Sequence, residues 1–422
     1  MYLLVNVLGL VVFIGLAFLF SKNRSAIKWR SVGIMTVLNL VLAWFLTSFS
    51  IGRDMVDAAA NGFNELVSVA SVGIEFALKP LTGASLQPTF MTNVLLPILL
   101  VVPLFDILTY FGVLPFIIKW LGKGLSKITG QPKFESFFSI EMMFLGNTEA
   151  LAVSGLQLKN MNAKRNLTLA MMSMSCVTAS VIGSYTQMMP GRFILTAVPI
   201  NVINALIVTA ILNPVDVPEE EDTIAKMGPA TPAADNVDSG SKELGDEVKD
   251  EVVAEGREPF FSFLGDSILN AGKLILIIAA NVIAFVALAA MIDKLLGGIN
   301  PWLSLEHILG IIMYPFAWLL GVGAHSFDMA QLMGTKLITN EFVVMGSVTG
   351  KVAHFPAHYT AVLTVFLTSF ANFSTVGMIV GCFKGMVSDD KSKLIAKNVG
   401  YLILSGILVS LFSAAMVGLF VW

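Results

Sequence analysis

Apolar runs of roughly 20 residues recur along the whole chain, from residues 2–20 to residues 402–421, and each is long enough to cross a bilayer core as a helix. Backbone N–H and C=O groups find no water in hydrocarbon, so such a chain must satisfy them within helices. Hydrophobic residues make up 56% of the sequence and charged residues 13%, against about 45–50% and about 25% in soluble domains, which excludes a soluble globule. The candidate spans are residues 2–20, 32–49, 91–113, 167–188, 193–212, 268–292, 359–384 and 394–421. The expected fold class is therefore an all-α polytopic membrane protein with eight transmembrane helices.

Charge orients these spans, because Lys and Arg concentrate in short cytoplasmic loops. The basic loops are Lys22, Lys28 and Arg30 with Arg24; Lys119, Lys123, Lys127 and Lys133; Lys159, Lys164 and Arg165; and Lys384 through Lys397. The second and third flank residues 134–158, so that segment enters and leaves on one face and is expected to be a re-entrant hairpin. Counting onward, parity closes at Lys384 only if residues 307–347 form a second hairpin entering from the opposite face. Both termini then lie outside the cytoplasm. The first apolar run has its basic cluster after it rather than before, the wrong order for a cleaved signal peptide. Cys176 and Cys382 fall inside apolar runs and form neither a disulfide framework nor a zinc site.

Two segments do not read as spans. Residues 53–79 carry Asp54, Asp57, Glu65 and Glu75 in a pattern that fits an amphipathic interfacial helix. Residues 216–258 hold fourteen acidic and four basic residues, cannot bury a core, and are expected to form a disordered cytoplasmic linker. The divisions are 1–90 (first helices and interfacial helix), 91–213 (first repeat with hairpin 1), 214–258 (acidic linker) and 259–422 (second repeat with hairpin 2). Each repeat has a hairpin with one carboxylate, Glu149 or Glu341, followed by a span with a polar cluster, 173–180 or 369–375. The loop charges give the halves opposite orientations, a secondary-transporter pattern in which substrate binds where helices break. No basic aromatic stripe or phosphate-cradling glycine loop supports nucleic-acid binding.

Glu149, in EMMFLGNTEALAV, is costly in lipid unless it faces water or a partner. Gly146, Asn147 and Thr148 before it suit a hairpin tip that exposes backbone groups. Asn340 and Glu341 stand between apolar residues in GTKLITNEFVV, and Asn372, Ser374 and Thr375 interrupt the apolar SFANFSTVGMIVG. His354 and His358 have helical spacing but flank Pro356 in what reads as an external loop, and they are not expected to hold a metal. His325 reads as an ordinary loop histidine. A membrane-embedded enzyme would need a DxxxD or HExxH arrangement that no span contains, and no segment resembles a channel filter. No catalytic residue and no cofactor is expected.

The hairpin GNTEA, the GxKxxxNEF pattern from Gly334 to Phe342, and FANFST from Phe370 to Thr375, in this order and topology, resemble the concentrative nucleoside transporters over essentially the whole chain. The resemblance implies a homotrimeric, elevator-type symporter that concentrates nucleosides across the cell membrane with a coupling cation. It also implies that Asn147, Thr148 and Glu149 lie against the nucleobase, Val181 and Phe370 form apolar walls, and Glu341, Asn372 and Thr375 hold the ribose hydroxyls. Asn147 stands where the family usually has Gln, one methylene longer, which bears on base preference.

Sodium-driven members ligate the ion with an Asn four residues before the motif glycine and a hydroxyl on the following span. This chain has Met142 and Cys176 there, and sulfur is a poor ligand for a hard cation. Proton coupling through Glu149 or Glu341 is therefore favoured. A sodium site built from backbone carbonyls and Ser175, or a same-architecture carrier of another polar solute, is the alternative.

Overall fold

The computed structural model describes residues 2–82, 89–224 and 259–422, without the side chains of residues 79–82 and of Thr148. All regular structure among the described residues is helical. The helices α1 (Tyr2–Leu19) and α2 (Trp29–Thr47) cover the first two apolar runs. The segment expected to be an interfacial helix is one long helix, α3 (Ser50–Thr82), extending past the expected 53–79 at both ends. A π-helical turn at Phe90–Leu95 leads into α4 (Ile98–Tyr110), and α5 (Val113–Thr129) follows.

The hairpin expected at 134–158 is α6 (Lys133–Leu145), α7 (Asn147–Val153) and α8 (Gly155–Asn160). Reversal is evident because Ser154 Oγ donates to Glu141 Oε2 at 2.9 Å across the turn. Gly146 makes the turn with φ +90°, and a Cβ there would sit 2.8 Å from Thr178 Cβ, so both conformation and space require glycine.

The apolar run at 167–188 is not a continuous span. It is α9 (Ala163–Met172) and α10 (Ala179–Thr186), with extended chain between. The run at 359–384 is likewise broken, into α16 (Ala357–Leu367) and α17 (Phe373–Met386). Six helices of the described residues, counting the π-turn with α4 as one, are long and apolar enough to span, so the expected eight crossings resolve into six continuous helices and two broken ones. The continuous ones include α11 (Gly191–Leu212), α12 (Phe260–Ile299) and, in the last run, α19 (Val399–Gly418), which a short α18 (Asp389–Lys397) precedes.

The interval 307–347 holds more than a hairpin. Helix α13 (Leu305–Leu319) packs along α14 (Ser326–Ile338), and only α14 and α15 (Glu341–Val348) flank the break at Thr339 and Asn340. Gly321 and Gly323, with φ of +76° and +60°, separate α13 from α14. His358 also departs from the loop expectation. It lies in α16, buried, with its ring nitrogens bonded to the carbonyls of Val421 at 2.8 Å and Leu320 at 2.9 Å.

Each half thus runs hairpin, broken span, continuous span: α6 to α8, α9/α10, α11, then α14/α15, α16/α17, α19. The continuous members are the core. In α11 83% of the most apolar window is buried, against 6% in α12, so α11 and α19 pack inside while α12 lies at the periphery against α4.

A broken helix leaves carbonyls without intrahelical partners, and the core helices and hairpin 1 supply donors. Ser405 Oγ of α19 donates to Met171 O at 3.0 Å, Asn201 Nδ2 of α11 donates to Thr368 O, and Asn147 Nδ2 donates to Ser173 O at 3.3 Å. Gly406 allows the close approach this needs, since a Cβ there would lie 2.9 Å from Ala371 Cβ and 3.1 Å from Met174 Cβ, one at each break.

At the base of hairpin 1, Arg165 forms a buried two-pronged pair with Glu135, Nε to Oε1 at 2.7 Å and Nη2 to Oε2 at 2.8 Å. The first residues of the linker lie over this pair: Glu221 O accepts from Arg165 Nη1, Asp222 bonds Lys133, and Thr223 O accepts from Gln157. The rest of the linker, 225–258, falls outside the described residues. Arg165→Met leaves Glu135 buried without its partner, which costs about 3–5 kcal/mol. Thermal unfolding in detergent is expected to show a large fall, partly recovered in the double variant Arg165→Met/Glu135→Gln.

Candidate functional site

The two hairpin tips and the two helix breaks converge on one open cavity. Asn147, Glu149, Val181, Glu341, Phe370, Asn372 and Thr375 all line it. Thr148 lies in α7 by its backbone, and its side chain is outside the described residues. Residues almost 230 positions apart in sequence are thus brought together by the repeat arrangement, because each hairpin faces a broken span.

On the Glu341 side every atom is held. Glu341 begins α15, with Asn340 as its N-cap accepting from Val343 N at 3.0 Å. Tyr185 OH donates to Glu341 Oε1 at 2.9 Å, and Asn372 Nδ2 donates to Oε2 at 3.2 Å. Asn372 caps α17 in turn, its Oδ1 accepting from the Thr375 amide at 2.8 Å and the Thr375 hydroxyl at 3.0 Å. An ionised carboxylate has about four acceptor positions, of which these two donors use two.

The Glu149 side differs. Its side chain is open to the cavity while Asn147 beside it is buried, and among the described residues no Lys, Arg or His forms an ion pair with it. The charged group that acts on it is another acid, Asp106 of α4, which accepts a hydrogen bond from Ser267 of α12. The cavity therefore has one carboxylate compensated by a donor network and one that is not.

The fourth wall comes from α12, where Leu274, Ile277 and Ile278 accompany a single amide, Asn281. Neither Asn281 nor Tyr185 was evident from the sequence. Asn281 is the one strongly polar residue in an apolar run from Leu274 to Leu288, a signal that was there to find, whereas nothing local marks Tyr185 as the partner of a residue in the other repeat.

The positions of Met142 and Cys176 are buried and sulfur-lined. Ser173 Oγ donates to Leu169 O at 2.9 Å and lies 3.4 Å from Met142 Sδ, and Cys176 Sγ lies 3.7 Å from Met172 O. Ser175 Oγ is bonded back to Met172 O at 3.3 Å. No cluster of three or more His, Cys, Asp or Glu side chains occurs among the described residues.

Broken helices around a cavity with a few convergent polar side chains, at the interface of two repeats, define a secondary membrane transporter. Sequence models of the Na+ dependent nucleoside transporter match residues 8–81 (N-terminus) and 193–418 (C-terminus), and one for nucleoside recognition matches 91–191. The chain belongs to this family of concentrative nucleoside transporters. It is 44% identical to the purine nucleoside transport protein NupG of Bacillus subtilis (strain 168), over 100% of both chains. It is 26% identical to the nucleoside permease NupC of Helicobacter pylori (strain ATCC 700392 / 26695), over 99% of this chain and 98% of the other. The structure of CNTnw in an inward-facing substrate-bound state superposes with a TM-score of 0.84 at 25% identity, covering 100% of this chain and 98% of that one. The protein is thus a multi-pass membrane transporter of nucleosides and not an enzyme.

Proposed function

We propose that this transporter is a proton-driven symporter that concentrates nucleosides, purine nucleosides among them, across the cell membrane by an elevator movement of the two hairpins and their broken spans. The observation that carries the coupling assignment is the buried Met142 Sδ standing 3.4 Å from the Ser173 hydroxyl, where an oxygen ligand would be needed. A thioether and a thiol offer a hard cation none of the oxygen it needs, while Glu149 offers a proton an uncompensated carboxylate. The purine assignment draws on the name of the 44% identical relative.

In this reading Glu341, Asn372 and Thr375 take the ribose hydroxyls. Asn147, Thr148 and Glu149 face the base, and Val181 and Phe370 flank it. Asn147 is one methylene shorter than the usual Gln and is bonded to Ser173 O, so a water bridges it to the base. The carrier works as a homotrimer with both termini outside the cytoplasm.

The family's sodium-dependent name favours a second reading, sodium coupling through carbonyls and Ser175. Competition by adenosine, guanosine and uridine, but not free bases or sugars, against labelled adenosine uptake tests the substrate assignment. Equal inhibition by a free sugar would refute it. The double variant Met142→Asn/Cys176→Ser tests the ion assignment by restoring oxygen ligands. Its uptake is expected to rise several-fold with external sodium while the parent's does not; a parent already stimulated by sodium would point to the second reading.

A further inference from the structure

Lys336 is completely buried in the last turn of α14, where a lone ammonium would be very costly. Its Nζ donates to Phe366 O at 2.6 Å and to Ser369 Oγ at 2.6 Å, and lies 4.6 Å from the centroid of the Phe366 ring. Phe366 is in the last turn of α16, whose C-terminal end carries partial negative charge, and Ser369 stands in the break that follows. Ser369 also bonds Ser410 Oγ of α19 at 2.6 Å. Glu341, at the start of the next helix, interacts with Lys336 electrostatically. A carbonyl, a hydroxyl, a ring face and a helix C-terminus are all groups that hold a cation, and Glu341 acts on this one from beyond ion-pair distance.

The first repeat has the same layout without the charge. Met142 lies four residues before the hairpin residue Gly146, as Lys336 lies four before Asn340. Ser173 follows the end of α9 as Ser369 follows the end of α16. Ser173 Oγ joins Met142 Sδ to Leu169 O, the carbonyl one turn back, as Lys336 joins Ser369 Oγ to Phe366 O. Each repeat places one side chain from the first helix of its hairpin onto the hydroxyl at the break of the following span.

We propose that Lys336 is a tethered counter-cation: its ammonium occupies, in the second repeat, the seat between hairpin and broken span that a free monovalent cation would otherwise take. Its charge offsets Glu341, so Glu149, which forms no ion pair with a cationic side chain among the described residues, is the carboxylate that exchanges charge with the medium. The last step rests on the reading of the chain as an ion-coupled nucleoside carrier; the seat itself does not.

The experiment compares thermal unfolding of purified parent, Lys336→Ala and Lys336→Met in sodium, ammonium and N-methyl-D-glucamine chlorides at equal ionic strength. Lys336→Ala opens the seat and is expected to lose stability in N-methyl-D-glucamine. Sodium or ammonium should restore at least half of the lost midpoint, saturably. Lys336→Met fills the seat without charge, as Met142 does, and should show no ion selectivity, as should the parent. An Ala variant that folds but does not distinguish the three salts, or a parent stabilised selectively by sodium, would overturn the proposal.

Should the Ala variant not fold in any salt, adenosine affinity of Lys336→Met decides. A roughly tenfold loss supports the counter-charge, and affinity within twofold of the parent overturns it. A parent that binds no adenosine would defeat the transport reading, and thermal unfolding of Lys336→Met with and without Glu341→Gln then decides the seat: recovery of the midpoint by Glu341→Gln supports the counter-charge, and no recovery overturns it.

Discussion

Glu341→Gln is expected to lower nucleoside affinity and uptake by roughly 100-fold or more while leaving the protein folded. Two acceptor positions of this carboxylate are used by Tyr185 OH and Asn372 Nδ2, and Glu341 lines the cavity. A ribose diol offers two O–H donors to fill them. Hydrogen bonds to a charged acceptor contribute about 1.5–3 kcal/mol each, and each 1.4 kcal/mol is tenfold in affinity, so losing two gives the stated effect. The amide also turns an N–H group toward donors that need an acceptor. Tyr185→Phe removes one positioning bond and should cost about tenfold or less. The check is equilibrium binding of labelled adenosine in detergent, with thermal unfolding as the control for folding.

Glu149→Gln is expected to separate transport from its driving force. Glutamine has the size of a protonated glutamic acid and cannot exchange a proton. The variant should therefore still exchange labelled for unlabelled nucleoside across the membrane, with weaker binding than the parent. Net accumulation under a proton gradient should vanish. For one proton per nucleoside, a gradient of one pH unit supports an accumulation of about tenfold, which falls to a ratio near one. Uptake by the parent should accelerate as external pH falls, and uptake by the variant should not. That no cationic side chain among the described residues pairs with Glu149 is what sets it apart from Glu341, since an uncompensated carboxylate at membrane depth favours whichever ligand removes its charge.

Much of this architecture is written in local sequence. Apolar length alone marks α1, α2, α11, α12 and α19, and loop charge requires hairpin 1 before any coordinate is known. Gly146 with Asn147 marks the tip because few residues tolerate a left-handed turn there. The breaks in the two crossed spans were legible only as polar clusters, because a run such as 359–384 is equally apolar whether the helix inside it is continuous or interrupted. The true position of each break depends on donors from elsewhere, Ser405 on α19 for Met171 and Asn201 on α11 for Thr368. The extra helix α13 was read as part of a hairpin because its apolar length adjoins α14 across only a short glycine turn.

The cavity residues were singled out by type and motif, and the fold brings seven of the eight to one surface, Thr148 being the one whose side chain is not described. The partners that set their electrostatics were not legible. Tyr185 lies 156 residues from Glu341, and Lys336 looks like a helix-surface lysine until α14 is packed against α16. Partner identity is a property of the packed repeats and has no local periodicity or spacing to announce it.

Labelled adenosine uptake into proteoliposomes, with an imposed proton gradient in one set and a sodium gradient in another, separates the two coupling ions. Proton-driven coupling predicts accumulation above equilibrium with protons alone and only equilibration with sodium. Accumulation driven by sodium, with no response to the proton gradient, would contradict it.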